Sequence, residues 1–479
     1  MSSPLGVLLP GFRGTTLPTW LRARLESGLA GVCLFGENIV DDRQAAALTA
    51  EIRGANPDAV IAVDEEGGDV TRLAATTGSP YPGNAVLGRL DDVQLTARVA
   101  GTVASRLATA GVTLNLAPVA DVNSNPFNPV IGVRSFGSDA DLAARHVAAW
   151  TAAHEAVGVA TSVKHFPGHG DVAVDSHLDR AVLDIDPELL RSRELAPFRA
   201  GIAAGARTVM ASHIVVPRID PTGPATFSAP VLDGLLRGEL GFTGVIVSDA
   251  LDMRGASGEI GIPAAAVRAL AAGVDLLCIG TRNMDEQLAT IDAAIVAAVG
   301  AGALSAARLA QAASRVAGLA RPEVLVASYQ DGGLPDAARI AAAFDVRPGA
   351  VPPARARVVQ IETAANFAIG AVPWGLAAAG VTVDTVLPGD ALPTGPRVLV
   401  GKNNHRHAWV RSLIEAARAA GPTLVVDMGW PSPDRSYADV ATFGASRAVG
   451  AALAEWLSSH QSTPPRSDEQ AAQGPGEVR

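Results

Sequence analysis

Short apolar runs punctuate the first two thirds of the chain, eight in all: Leu5 to Leu9, Gly31 to Phe35, Val60 to Asp64, Val112 to Leu116, Val159 to His165, Thr208 to Ser212, Gly244 to Ser248 and Val274 to Ile279. Between them lie stretches whose apolar positions fall at helical spacing, such as Leu95 to Ala110, Asp139 to Ala156, Pro187 to Ala204 and Ala229 to Glu239. A strand joined through a helix to the next strand gives a right-handed crossover and a parallel sheet. Repeated units of this kind predict a closed (β/α)8 barrel of the TIM type over residues 1–320. An open doubly wound sheet is the competing architecture.

After Leu319 the texture changes to RPEVLVASYQDGGLP and RPGAVPPARAR, rich in Pro, Gly and Arg, so residues 321–350 read as a linker. Apolar runs then return at Val358 to Ile361, Val398 to Val400 and Thr423 to Val426, with a helical stretch from His407 to Ala420. They predict a second, smaller C-terminal α/β domain over 351–460. The polar, proline-bearing tail 461–479 is expected to be disordered.

Composition agrees with this division. A chain of 479 residues exceeds the usual single-domain size, and 48% hydrophobic residues suffice for a sizeable core. The net charge of -10 is spread without long acidic runs, and no Lys/Arg-rich block tracks phosphates, which argues against nucleic acid as a partner. Cys33 and Cys278 are the only cysteines, each in an apolar strand-like run, and are expected as buried free thiols. MSSPLGVLLPGF lacks a basic n-region and a long apolar h-region, and no uncharged apolar run approaches the roughly 18 residues of a membrane span. A cytoplasmic monomer with no membrane partner is the expectation.

The candidate chemistry is concentrated in two places. VKHFPGHGDVAVDSH, Val163 to His177, packs ionisable and Gly-Pro residues behind an apolar strand; GVIVSDALDM carries Asp249 off the end of Val245 to Val247. Barrel active sites gather at the carboxyl ends of the strands. Asp64, Arg134, Lys164, His165, His213 and Asp249 all fall there or in the loops that follow.

VDEEGG at Val63 to Gly68, NLAPVADV at Asn115 to Val122, IGVRSFG at Ile131 to Gly137, KHFPGHGD at Lys164 to Asp171, DSH at Asp175 to His177 and VSDAL at Val247 to Leu251 occur in one order. In these motifs the chain resembles the family 3 glycoside hydrolases, and within them the β-N-acetylhexosaminidases of the NagZ type, over roughly residues 5 to 320. The resemblance implies that Asp249 is the nucleophile. A carboxylate on a rigid strand end can attack an anomeric carbon and divide one hard displacement into two; read alone, Asp249 is as easily an N-cap of the next helix. It further implies that His177 and Asp175 form the proton-transfer dyad. An imidazole near pKa 6.5 can give a proton to the leaving oxygen and take one back, and Asp175 can hold one ring nitrogen. The Gly168 to Gly170 stretch reads as a hinge for this loop.

Sugar binding is assigned by the resemblance to Asp64, Arg72, Arg134, Lys164 and His165, a set of directional donors and acceptors. His169 and Asp171 are expected to order their loop, Asn115 and Asp121 to fix the fourth loop, and His213 to be either pocket floor or a satisfied core histidine. The sequence departs from the family's DQEGGR pattern with Glu65 and Asp69, and Asp69 is expected to reverse a charge near the sugar site; Val172 replaces a usual Thr. The second domain is shorter than the family's full-length version, which leaves open whether it touches the active site.

A metal-dependent barrel hydrolase would need His165, His169, His177 and His213 to converge, yet HFPGH interposes Pro and Gly and no HxH follows the first strand. A Rossmann-type enzyme is disfavoured because LLPGFRGTT replaces GxGxxG and no GxxxxGK[ST] occurs. A silent sugar-binding module would leave Asp249 and His177 incidental. The expectation is a retaining exo-β-N-acetylglucosaminidase acting on a small carbohydrate without metal or organic cofactor, on muropeptide fragments or chitooligosaccharides. A phosphorylase using phosphate as acceptor and a β-glucosidase are the alternatives.

Overall fold

The computed structural model describes residues 3–174, 181–319, 333–366 and 368–460. Eight short strands appear where the apolar runs lie: β1 (Leu8–Pro10), β2 (Gly31–Leu34), β3 (Val60–Val63), β4 (Leu114–Asn115), β5 (Ala160–Phe166), β6 (Thr208–Ala211), β7 (Val245–Ser248) and β8 (Leu277–Gly280). Strands β2 to β7 form one six-stranded parallel sheet in the order β7-β6-β5-β4-β3-β2, and β1 pairs in parallel with β8. A parallel bridge from Val247 to Leu276, and the Ser248 N–H donating to the Leu276 carbonyl at 2.9 Å, bring β7 beside β8.

The sheet is curled, and alternation along its strands divides two apolar clusters. Leu9, Cys33, Ala62, Leu114, Ala160, Met210, Val247 and Cys278, at least one from every strand, meet in an inner cluster. Their neighbours Val32, Ile61, Val163, Val209, Ile246 and Leu277 face outward against the helices. Side chains alternate faces along a strand, so burial on both faces is what makes these runs continuously apolar. Both cysteines are free and buried in the inner cluster.

The helical stretches start where short polar side chains can satisfy free N–H groups. Asp92 caps Val93–Thr109 by accepting from Leu95 N–H, and Asp139 caps Ala140–Val157 by accepting from Leu142 N–H. Gly158, with φ +97°, ends the latter helix in the left-handed region.

A second six-stranded sheet has the spatial order Asp345–Val346, Val440–Ala441, Thr423–Asp427, Arg397–Gly401, Arg357–Ile361, Asp384–Val386. All pairings are parallel except that of the edge strand Asp345–Val346. Helix Ala408–Ala420 packs on one face against Val359, Ile361, Leu399 and Val425, whereas Leu376 and helix Arg447–Ser459 cover Val398, Val400, Leu424 and Val426 on the other. Part of the stretch read as linker is structured: helix Ala337–Ala341 and strand Asp345–Val346 belong to this layer, with Ile340 and Phe344 in its core. Residues 320–332 and the tail 461–479 lie outside the described residues.

The two sheets are tied at the loops after the first sheet's strands. Arg72 donates to the carbonyls of Ala368 (2.8 Å) and Ile369 (3.3 Å), Asp69 accepts from Ala445 N–H at 2.8 Å, and Arg89 lies 4.1 Å over the Phe443 ring. Asn366 Nδ2 donates to the Pro129 carbonyl at 3.3 Å, and Arg406 to that of Asn128. The second sheet therefore reaches the candidate site.

Candidate active site

The carboxyl ends of the curled sheet's strands open on a cavity of about 420 Å³ whose walls include Asp64, Arg72, Arg134, Lys164, His165 and Asp249. Asp64 follows β3, Lys164 and His165 lie within β5, Asp249 follows β7, and Arg134 ends the short helical turn Gly132–Arg134. Six residues separated by as much as 185 positions (249 − 64) thus share one space. His177 and Asp175 lie outside the described residues.

Four of the charges hold one another. Lys164 Nζ lies 2.6 Å from Asp64 Oδ1 and 2.8 Å from Glu66 Oε1, and Arg134 grips Glu66 through Nε at 2.9 Å and Nη2 at 2.8 Å. The side chains of Lys164, Arg134 and Glu66 are each 4% exposed or less. Burying charges is costly unless they are paired in good geometry, and the two-pronged Arg134 contact supplies that. Burial pushes the Glu66 carboxyl up, but Arg134 and Lys164 outweigh it and hold the group well below the usual carboxylate range. Burial likewise lowers Lys164, and Asp64 and Glu66 more than restore it, so the ammonium stays charged. The result is a rigid array of donors and acceptors suited to sugar hydroxyls. Glu66 was passed over in the sequence because its role depends on partners 68 and 98 residues away (134 − 66; 164 − 66).

His165 is oriented from behind. Its Nδ1 lies 2.7 Å from Asp121 Oδ2, and its Nε2 3.4 Å from Arg134. Asp121 Oδ1 also accepts the backbone N–H groups of His165 (3.1 Å) and His169 (2.7 Å), and burial's upward push on this carboxyl is overcome by His165. Asp121 therefore fixes the β5 loop as well as the fourth, where its carbonyl accepts from Ser135. Asn115 corrects the expectation more fully. Its amide brackets the Glu65 backbone, accepting from N–H at 3.0 Å and donating to C=O at 2.9 Å, so it holds the third loop.

His169 is buried, lowered to about 4 by that burial, and its carbonyl accepts from Asn128; Asp171 pairs with Arg193 at 2.5 Å. Both order the loop, as expected. The glycines beside them have a packing reason. A Cβ on Gly170 would stand 1.7 Å from the Val122 carbonyl oxygen, and one on Gly168, at φ +128°, 2.7 Å from Glu194 Oε2. Val172 is buried in the main core, which accounts for an apolar residue there.

At the β7 end, the Asp249 N–H donates to the Ala211 carbonyl and its Oδ1 accepts from Ala250 N–H at 2.8 Å. The next helix begins at Arg254 with Met253 as N-cap, so capping does not explain Asp249. His213 is a satisfied buried histidine: Nδ1 meets Thr226 Oγ1 at 2.9 Å and Nε2 meets the Ala250 carbonyl at 3.0 Å, steadying the turn that carries Asp249. Asp252 and Arg254 also line the cavity and were not singled out in the sequence; Asp252 Oδ2 accepts from Thr281 N–H.

The two departures prove to be structural. Glu65 Oε2 accepts from Thr71 Oγ1, Arg72 N–H and Leu73 N–H, and burial raises its pKa above the usual carboxylate value. Asp69 does not face the sugar cavity. It turns to Ala445 and Lys402 of the second sheet, so the expected charge reversal at the site does not arise. Among the described residues, no three His, Cys, Asp or Glu side chains gather as a metal-holding group.

A family model described as "Glycosyl hydrolase family 3 N terminal domain" matches residues 21–319. The Beta-hexosaminidase of Stenotrophomonas maltophilia (strain K279a) is 38% identical over 312 residues, spanning 62% of this chain and 92% of that protein. The structure of a glycoside hydrolase family 3 beta-N-acetylglucosaminidase from Paenibacillus sp. str. FPU-7 superposes with a TM-score of 0.82 at 30% identity, over 95% of this chain and 96% of its own. NagZ from Neisseria gonorrhoeae, in complex with N-trifluoroacetyl-D-glucosamine, gives 0.53 at 32% identity, over 67% of this chain and 99% of its own.

Proposed function

The chain belongs to glycosyl hydrolase family 3, and from that premise we propose that it is a retaining exo-β-N-acetylglucosaminidase, hydrolysing terminal β-linked GlcNAc through a covalent glycosyl-enzyme. The observation that carries this reading is the cavity that holds Asp249 together with the Asp64, Lys164, Glu66 and Arg134 network. A beta-hexosaminidase 38% identical and a beta-N-acetylglucosaminidase alike over nearly the whole chain support it.

In this reading the network and His165 hold the terminal pyranose, and Asp249 attacks the anomeric carbon while the leaving oxygen is protonated. The proton passes through His177, steadied by Asp175, first to the leaving group and then from the attacking water. No metal or organic cofactor takes part in these steps. The curled sheet is read as a closed (β/α)8 barrel, since its inner core draws on all eight strands, with a smaller α/β domain that takes in Ala337–Val346 as well as 351–460. A cytoplasmic monomer acting on muropeptide fragments, or on short chitooligosaccharides, completes the proposal. Among the described residues no helix is long and apolar enough to cross a membrane.

The test compares aryl β-GlcNAc with aryl β-glucoside under the same conditions. Faster GlcNAc hydrolysis supports the reading, and a faster glucoside contradicts it.

A further inference from the structure

The second sheet contains a topological switch. Strand Arg357–Ile361 has Asp384–Val386, the next strand in the chain, on one side and Arg397–Gly401 on the other. The connections leaving the two central strands diverge, through Leu376 on one face and helix Ala408–Ala420 on the opposite face. In open α/β sheets this divergence leaves a crevice at the carboxyl ends of those two strands, the place where such sheets bind ligands. Here the first residue past one strand is Glu362 and the first past the other is Lys402.

A cavity of about 520 Å³ lies there, lined by Gln360, Glu362, Thr363, Trp374 and Lys402 among others. It shares no lining residue with the catalytic cavity, whose wall includes Ala368 of the same connecting segment. Glu362 is held in place: Oε1 accepts from Gln360 Nε2 at 2.7 Å and Oε2 from Trp374 Nε1 at 3.1 Å. Lys402 is different. Its Nζ stands 4.4 Å over the Trp374 ring, yet the ammonium has no hydrogen-bond or ion-pair partner among the described residues. Burial lowers its pKa even with Asp69 and Glu362 in the neighbourhood, as befits a cation short of an anion. An ammonium with three free donors and a carboxylate with spare lone pairs therefore project from adjacent strand ends into one crevice.

We propose that this crevice is a second ligand site, taking a zwitterionic α-amino acid, with the ligand's carboxylate on Lys402 and its ammonium on Glu362. The charges are complementary, and they follow neighbouring strands whose backbones stand about 4.8 Å apart, so each charge of one small zwitterion meets an opposite partner.

Calorimetric titration of the full-length protein with alanine tests the site. Saturable binding is expected, weakened about tenfold or more by Lys402→Met and by the isosteric Glu362→Gln, whereas Asp249→Ala binds alanine as the unaltered chain does. N-acetylalanine, which lacks the ammonium, and alaninamide, which lacks the carboxylate, should each bind about tenfold more weakly. No saturable binding at concentrations on the order of 10 mM, binding by both crevice variants as tight as by the unaltered chain, or N-acetylalanine binding as well as alanine would overturn the proposal. If Lys402→Met fails to fold, Glu362→Gln and the two analogues decide the matter.

Discussion

The catalytic cavity and the crevice of the second sheet occupy equivalent places, the carboxyl ends of parallel strands, but they treat charge in opposite ways. In the first, Lys164 and Arg134 are saturated by Asp64 and Glu66 before any substrate arrives. In the second, Lys402 has an aromatic face beneath it and, among the described residues, no anion in hydrogen-bond or ion-pair contact. A site that must stabilise developing charge gains from groups that need no reorganisation. A site that merely binds can leave a charge for the ligand to complete. The same sheet-end geometry thus serves both uses, and the difference lies in which residues follow the strands.

The sharpest way to break this contrast is at Asp249. Asp249→Ala should lower turnover of aryl β-GlcNAc by about 10³-fold or more, with the circular dichroism spectrum and thermal midpoint little changed. Unaltered turnover would take Asp249 out of the chemistry and leave the first cavity without a nucleophile.

Next comes the paired nature of the network. Glu66→Gln leaves Lys164 and Arg134 facing an uncharged amide, and removing one partner from a buried pair costs about 3–5 kcal/mol. A loss near that size should appear in denaturant titrations, with a raised KM. Lys402→Met should cost less, because no hydrogen-bonded or ion-paired partner is stranded, only the more distant Asp69 charge. Equal losses from the two substitutions would erase the distinction between the regions.

Why the two regions were unequally legible follows from the same physics. Strands buried on both faces, such as Val245–Ser248 and Val60–Val63, are continuously apolar, and the sequence displays them directly. The position of Asp64 and Asp249 at strand ends was readable for the same reason, and both line the cavity there. Asp345–Val346 was hidden, because a two-residue edge strand exists only through its pairing with Val440–Ala441. Glu66 was hidden too, since nothing local separates it from Glu65 in VDEEGG. The tertiary structure turns one toward Arg134 and the other toward the Thr71 to Leu73 backbone. Asp69 was misplaced for the same reason, as its direction is set by a contact with Ala445, 376 residues on.

Smaller effects sharpen the comparison. Gly170→Ala pushes a methyl against the Val122 backbone and should cost about 1–3 kcal/mol by overpacking. Gly389→Ala, in the second region, meets open space and should cost only about 1 kcal/mol, for its positive φ of +94°. Paired melting curves compare them, and a larger loss at Gly389 would contradict the packing account of the β5 loop.

A further comparison lies in the dependence of stability on pH. Burial raises Glu194, which lies against Gly168, from 4.5 to about 7, outweighing Arg193, and raises Asp427 of the second sheet from 3.8 to about 6. The native state thus keeps protons that the unfolded chain releases, so stability is greatest below the unfolded values and falls as pH rises through each window. Glu194→Gln should flatten the decline between pH 4.5 and about 7, and Asp427→Asn that between 3.8 and about 6. Denaturation midpoints across that range would show it, and unchanged slopes would mean the two carboxyls ionise as they do in water.

The most direct test of the central claim is to trap the intermediate with a fluorinated GlcNAc donor that forms the glycosyl-enzyme faster than it is released. Intact-mass measurement and peptide mapping should find one glycosyl unit attached, and attached to Asp249. An adduct on another carboxylate, or turnover of the donor with no adduct at any time, would contradict the account.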